Sequence, residues 1–231
     1  MASKRYEYST PSLSGTLKVG SEQAKSLVVR IPGRTTAPPF KGVSPALFAI
    51  DVVTRNMGKR NPAFDHKAVI AAVESRLSLV EEEFKGELER LELFIRNEGI
   101  KARASYNSPV EITYEITTPQ IQRAAELVEQ LDRLVGLVDT LWLTGRLSQE
   151  ECEKFKASKT KMLAKAFRNL ISTGFAARKK AFEDTSPEAL ETQSDILKAE
   201  ADAAALDPDS EDASDSEAPP EEERTAAAAT A

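Results

Sequence analysis

Two apolar stripes at helical spacing decide most of what this chain can fold into. Val69, Val73, Leu77, Val80, Phe84, Leu88, Leu91 and Ile95 follow one another at steps of three or four. Ile121, Ala124, Leu127, Val128, Leu131, Leu134, Val135, Val138, Leu141 and Trp142 do the same over a wider arc. Residues spaced this way share one side of an α-helix, and that side must be buried. The first stripe opens at Asp65, a good N-cap, and closes at Gly99, placed to take the left-handed conformation that ends a helix. The second opens at Thr118-Pro119 and closes at Gly145. Its width predicts the central core helix.

A third long helix begins at Ser148, with Glu151 three residues on as the other half of a capping box. Its apolar positions are Cys152, Phe155, Met162, Ala166, Phe167 and Leu170, with the aliphatic stem of Lys159 among them. Ser44-Pro45 predicts one short helix that ends before Gly58, followed by a loop holding Arg55, Lys59 and Arg60. Strand signals are weaker. Residues 13–19 alternate in part, and Leu27-Val28-Val29-Arg30-Ile31 is β-branched and apolar. Residues 100–106 and 110–116 flank the turn Asn107-Ser108-Pro109 and predict a β-hairpin with one apolar face. Its other face carries Lys101 and Arg103 on one strand and Glu111, Thr113 and Glu115 on the next. The expected fold class is α+β, mostly α: three long helices and one short helix with a β-hairpin. A ribbon-helix-helix-like dimer is one arrangement of these parts. The expected organisation is an irregular N-terminal segment with short strands (1–43), a helical DNA-binding and dimerisation body (44–185), and a disordered acidic tail (186–231). No internal repeat is visible.

Charge separates the body from the tail. The chain has 37 Asp+Glu and 31 Lys+Arg, and 14 of the acids but 2 of the bases lie from Ser186 onward. The first 185 residues therefore hold 23 acids and 29 bases, a net of about +6, against about −12 for the tail. A basic body is the footprint of a polyanionic partner. The tail is either a solubiliser or a competitor for the same surface. The last long helix concentrates the positive charge, and phosphate neutralisation by Lys159, Lys165, Arg168, Arg178, Lys179 and Lys180 is one use of it. A solvated helix face is the other.

Catalytic and metal chemistry find little support. One Cys and one His, Cys152 and His66, cannot make a Cys/His metal cluster, and Cys152 sits on an apolar helix position suited to an inert buried thiol. No phosphate-binding glycine loop, nucleophile elbow or zinc-helix motif occurs. An enzyme is not expected, nor a cofactor or a small-molecule ligand. No apolar run is long enough for a membrane span and no signal-peptide core is present, so a cytoplasmic protein is expected.

Two resemblances add to this. A strand followed by Thr-Pro and a long helix is similar to the ribbon-helix-helix plan, in which two strands pair antiparallel and lie in the major groove. Outward Glu111 and Glu115 suit that role poorly, so the strand region near Leu27 to Ile31 is a rival ribbon. More specifically, the stretch from Ala68 to about Phe182 resembles the AcaB-like transcriptional regulators of integrative conjugative elements and broad-range conjugative plasmids. It does so through Ser75-Arg76-Leu77, Phe84-Lys85-Gly86-Glu87-Leu88-Glu89-Arg90-Leu91, Asn97-Glu98-Gly99-Ile100 and Tyr106-Asn107-Ser108-Pro109. Tyr114-Glu115-Ile116-Thr117-Thr118-Pro119, Leu131-Asp132-Arg133-Leu134, Leu137-Val138-Asp139-Thr140-Leu141-Trp142-Leu143-Thr144-Gly145 and Arg168-Asn169-Leu170-Ile171 complete the set. The resemblance implies a DNA-binding regulator, an activator of conjugative-transfer genes, working as a homodimer on double-stranded DNA. Lys101, Arg103, Thr113, Arg55, Lys59, Arg60, Lys159, Lys165, Arg168, Arg178, Lys179 and Lys180 are the candidate DNA contacts. The alternative is a helical scaffold protein of a mobile element that never touches DNA.

Overall fold

The computed structural model describes residues 11–30, 37–60 and 65–183, without the side chains of 53–60 and 180–183. The expectation for the acidic tail therefore lies outside the described residues. The chain order is β1 (Leu13–Val19), α1 (Glu22–Val28), α2 (Pro39–Arg60), α3 (His66–Asn97), β2 (Val110–Ile116), α4 (Pro119–Leu143) and α5 (Gln149–Glu183). Among the described residues the protein is thus mostly α, with one two-stranded antiparallel sheet and five helices, four of them long.

The long helices form where periodicity and caps agree. Asp65 accepts from the Ala68 amide at 3.0 Å and starts α3. Ser148 and Glu151 exchange backbone-to-side-chain bonds at 3.0 and 3.3 Å and start α5. Gly99 and Gly145 hold φ of 68° and 69°, and the residue after each donates back to a carbonyl five positions earlier. This satisfies carbonyls that the helix ends would leave open. α4 lies at the centre, with Ile121, Leu127, Val128, Leu131 and Leu134 fully buried. Ionic contacts give the helix directions: Arg123 with Glu74 and Glu81, and Arg133 with Glu92, lay α3 parallel to α4. Lys156 meets Asp139, and Lys159 meets Glu83 and Glu87 while Phe155, one turn earlier, lies beside Leu91 and Phe94, so α5 runs antiparallel to α3 and α4.

Four local expectations are corrected. Residues 100–106 form no strand. They run along α4 in extended loop, where the Ala104 amide donates to Thr140 Oγ1 at 2.9 Å and the Tyr106 hydroxyl to Asp139 at 2.8 Å. β2 instead pairs with β1, Leu13 opposite Ile116 and Val19 opposite Val110, across ninety intervening residues. Leu27 and Val28, the start of the expected Leu27–Ile31 strand, are instead the end of α1, because Ser21 caps a helix there and turns Ala24, Leu27 and Val28 into the core; Ile31 lies outside the described residues. Finally, Ser44-Pro45 starts no helix: α2 begins at Pro39 and its buried face, Phe40, Val43, Leu47 and Ile50, already has helical steps before Pro45. Pro45 and Lys41, whose carbonyl loses its donor, both lie on the exposed side, where water can replace the missing bond. The loop expected for Arg55, Lys59 and Arg60 is accordingly the last turns of α2.

Two anchors fix the ribbon to the helices. Asp132 of α4 accepts from the Gly20 amide at 3.0 Å, the Ser21 amide at 2.7 Å and the Ser21 hydroxyl at 2.6 Å. Tyr114 folds across Gly15, where an added Cβ would lie 2.6 Å from its ring, and meets Phe40 edge-on at 5.7 Å. Phe40 in turn packs on Phe167 of α5 at 6.1 Å.

Candidate nucleic-acid interface

The α5 helix exposes one cationic face. Lys154, Lys161, Lys165, Arg168 and Lys179 are exposed and recur at steps of seven, four, three and eleven, all close to whole helical turns. They extend over roughly 37 Å at 1.5 Å per residue. None of the five forms an ion pair among the described residues; Arg168 Nε donates only to the Ala164 carbonyl, at 3.4 Å. The opposite face of α5, Leu163, Phe167 and Leu170, is buried. Amphipathicity therefore forces these cations outward, and lack of carboxylate partners leaves their fields unneutralised.

Other candidate residues are placed differently. Lys159 is 7% exposed and its ammonium reaches Glu83 at 2.5 Å and Glu87 at 2.9 Å on α3. Burial opposes its charge, but the two carboxylates overcome this and raise its pKa; Glu87 is held low in return, the Lys159 and Arg90 bonds outweighing its own desolvation. Lys159 is thus a structural cation withdrawn from the surface, a correction to its place among the DNA contacts. Lys165, Arg168 and Lys179 stand on the exposed face, and Arg178 is half-buried beside it. Lys101 is exposed, and Arg103, also exposed, donates to the Ile100 and Ala102 carbonyls at 3.0 and 3.1 Å. Thr113 lies at the middle of the ribbon, opposite Thr16. The side chains of Arg55, Lys59, Arg60 and Lys180 lie outside the described set.

The ribbon offers a second surface. Its exposed face carries Ser14, Thr16 and Lys18 on β1 and Glu111, Thr113 and Glu115 on β2. Lys18 escaped the sequence reading as a candidate because its strand pairs with a partner far along the chain. The available signal was length and alternation: two seven-residue stretches with complementary faces.

Burial raises the pKa of the Cys152 thiol, which sits 3.7 Å from Asp139. Burial and the bond to Asp139 raise that of Tyr106 as well. A groove of about 520 Å³ between the C-terminal ends of α3 and α4 and the start of α5 is lined by Leu91, Leu93, Phe94, Leu141, Leu147 and Phe155 with Arg90 and Arg146 at its edge. Among the described residues no cluster of three or more His, Cys, Asp or Glu is arranged for a metal ion, and no helix is long and apolar enough to cross a membrane.

The chain matches no family model and no curated protein. It is similar to a solved structure, that of AcaB from uropathogenic E. coli, with 28% identity and a TM-score of 0.60. The match covers 88% of this chain and 93% of that one. The AcaB-like resemblance of the sequence is therefore borne out, and it extends to almost the whole length of AcaB.

Proposed function

We propose that this AcaB-like chain is a DNA-binding transcriptional regulator, an activator of conjugative-transfer genes on a mobile element. The observation that carries the reading is the α5 face: Lys154, Lys161, Lys165, Arg168 and Lys179 aligned and without carboxylate partners. Cations in a row along one helix can each displace a condensed counterion from a phosphate backbone, a gain in entropy that needs no base sequence. The AcaB-like resemblance, which implies a transcriptional regulator, supports a regulatory use of such a face. The protein works as a homodimer, and because its ribbon is already paired within one chain, the second copy joins elsewhere. The exposed Leu93, Phe94, Trp142 and Leu143 at one end of α3 and α4 are the surface for it.

The same apolar end favours a second reading, a helical scaffold that binds protein partners only. The two separate in one experiment. Full-length protein is mixed with promoter duplexes of its own element at low salt. Retarded complexes that dissolve as salt rises support the regulator. No retardation at the lowest salt, with the protein folded, rejects it and leaves the scaffold.

A further inference from the structure

The groove between α3, α4 and the start of α5 has an apolar floor that is left uncovered. Leu91, Leu141, Leu147 and Phe155 line it, together with Leu93 and Phe94, which remain exposed. Trp142 and Leu143 follow Leu141 along α4 and are exposed as well. Large apolar side chains gathered in the open at one end of a molecule mark an interaction site. The rim is cationic. Arg90 and Arg146 line the groove and are exposed, and each meets one carboxylate, Glu87 or Glu98. A guanidinium has five N–H donors, more than one carboxylate can accept, so both keep donors for a further partner. Glu151, the acid of the lining, is held by the Ser148 amide and hydroxyl. The groove therefore suits a segment that is apolar on one side and acidic on the other.

The chain carries such a segment beyond Glu183, outside the described residues. Ser186-Pro187-Glu188 is a helix start: an N-cap residue, Pro in the first turn and an acid beside it. Ala189, Leu190, Ile196, Leu197, Ala201 and Ala204 then share one side of a helix, and Glu188, Glu191, Asp195 and Asp202 share the other. The spacing predicts an amphipathic, acidic helix over 187–204. Leu190 and Leu197 stand seven residues apart, as do Arg90 and Asn97 on the α3 wall of the groove, roughly 10 Å in both cases. Reach decides which groove the segment fills. The groove lies at the first turns of α5 and the tail leaves from the last, and Phe155 to Glu183 spans roughly 42 Å at 1.5 Å per residue. A helix begun at Pro187 carries Leu197 no farther than about 29 Å from Glu183, about 14 Å of extended link and about 15 Å of helix. The segment thus falls short of its own chain's groove.

We infer that residues 187–204 dock as an amphipathic helix in the groove of a second copy of this chain. Leu190 and Leu197 lie on the apolar floor, and acids of the polar side meet Arg90 and Arg146 at the rim. In a symmetric dimer each chain gives one such segment and receives one. The exchange names what covers the exposed end of α3 and α4, and it rests on the homodimer reading above.

Sedimentation equilibrium of the full-length chain tests it, with two double variants. One changes the tail, Leu190→Ser with Leu197→Ser, and leaves every tail charge in place. The other changes the groove, Leu93→Ser with Phe94→Ser, at two exposed positions, and unchanged thermal melting shows that it is folded. Each is expected to weaken the dimer about a hundredfold, because two apolar side chains lose their burial. An equimolar mixture of the two variants recovers part of that loss, since the intact tail of one fits the intact groove of the other. A dimer that the tail variant leaves unchanged overturns the inference while the homodimer stands. A mixture as weak as its components overturns it too, because the contact is then not exchanged between chains. A wild-type chain that is monomeric at every concentration rejects the homodimer reading itself, and this inference with it.

Discussion

Asp132 ties the N-terminal ribbon and α1 to α4. Its carboxylate accepts from two backbone amides and one hydroxyl at the junction of β1 and α1. Hydrogen bonds to a charged group are worth about 1.5–3 kcal/mol each, and those amides lose every partner if the acceptor goes. Asp132→Ala should therefore cost about 3 kcal/mol and lower Tm by roughly 10 °C. Asp132→Asn keeps one acceptor oxygen and should cost less, so a calorimetric comparison of the two checks the assignment. Nothing near Asp132 in sequence announces this role, because its partners lie more than a hundred positions away. Cys152 is the contrasting case. Its place on an apolar helix position was enough to predict an inert buried thiol, and burial does raise its pKa.

At the scale of elements, helices were legible and pairings were not. α3, α4 and α5 follow from a 3.6-residue period and from Asp65, Gly99, Pro119, Ser148 and Gly145, all local signals. The partner of β2 was not legible. A local turn at Asn107-Ser108-Pro109 pointed to a hairpin, whereas Ala104 and Tyr106 bond α4 and β2 pairs with β1. Lys159 shows the same limit. Its sequence position gave a buried stem, but only the packing of α5 on α3 supplies Glu83 and Glu87. Lys159→Met should destabilise the protein by about 2 kcal/mol at neutral pH. The pH dependence has a definite sign. The folded pKa of Glu87 is depressed, so its contribution is present above the ordinary glutamate value, about 4.3, and fades as pH falls through the lower folded value. The folded pKa of Lys159 is raised, so its contribution persists through neutrality and fades only as pH climbs past about 10.4. Melting curves should thus converge for the two proteins below about pH 4. A constant gap down to pH 2 would mean that the loss is packing and not charge.

At the scale of the molecule, the charge split becomes a matter of geometry. Five exposed cations of the body are aligned on α5, and the acidic residues from Ser186 onward follow that helix directly in the chain. Opposite charges so close in sequence compete with phosphates for the same face. Truncation after Thr185 should raise affinity for unrelated duplexes several-fold at low salt, with the gain shrinking as salt screens the tail. Equal affinity with and without the tail would make it a solubiliser. Of this interface, the sequence supplied the charge and the helix. It did not supply the second strand of the ribbon, nor the removal of Lys159 to the interior.

The most direct test of DNA binding through α5 is the salt dependence of affinity measured by fluorescence anisotropy. Full-length wild type is compared with the triple variant Lys161→Ala, Lys165→Ala, Arg168→Ala on one duplex. Each phosphate contact contributes about 0.9 to the slope of log K against log salt, so the variant should bind more weakly with a slope shallower by about 2.7. An unchanged slope would contradict the account.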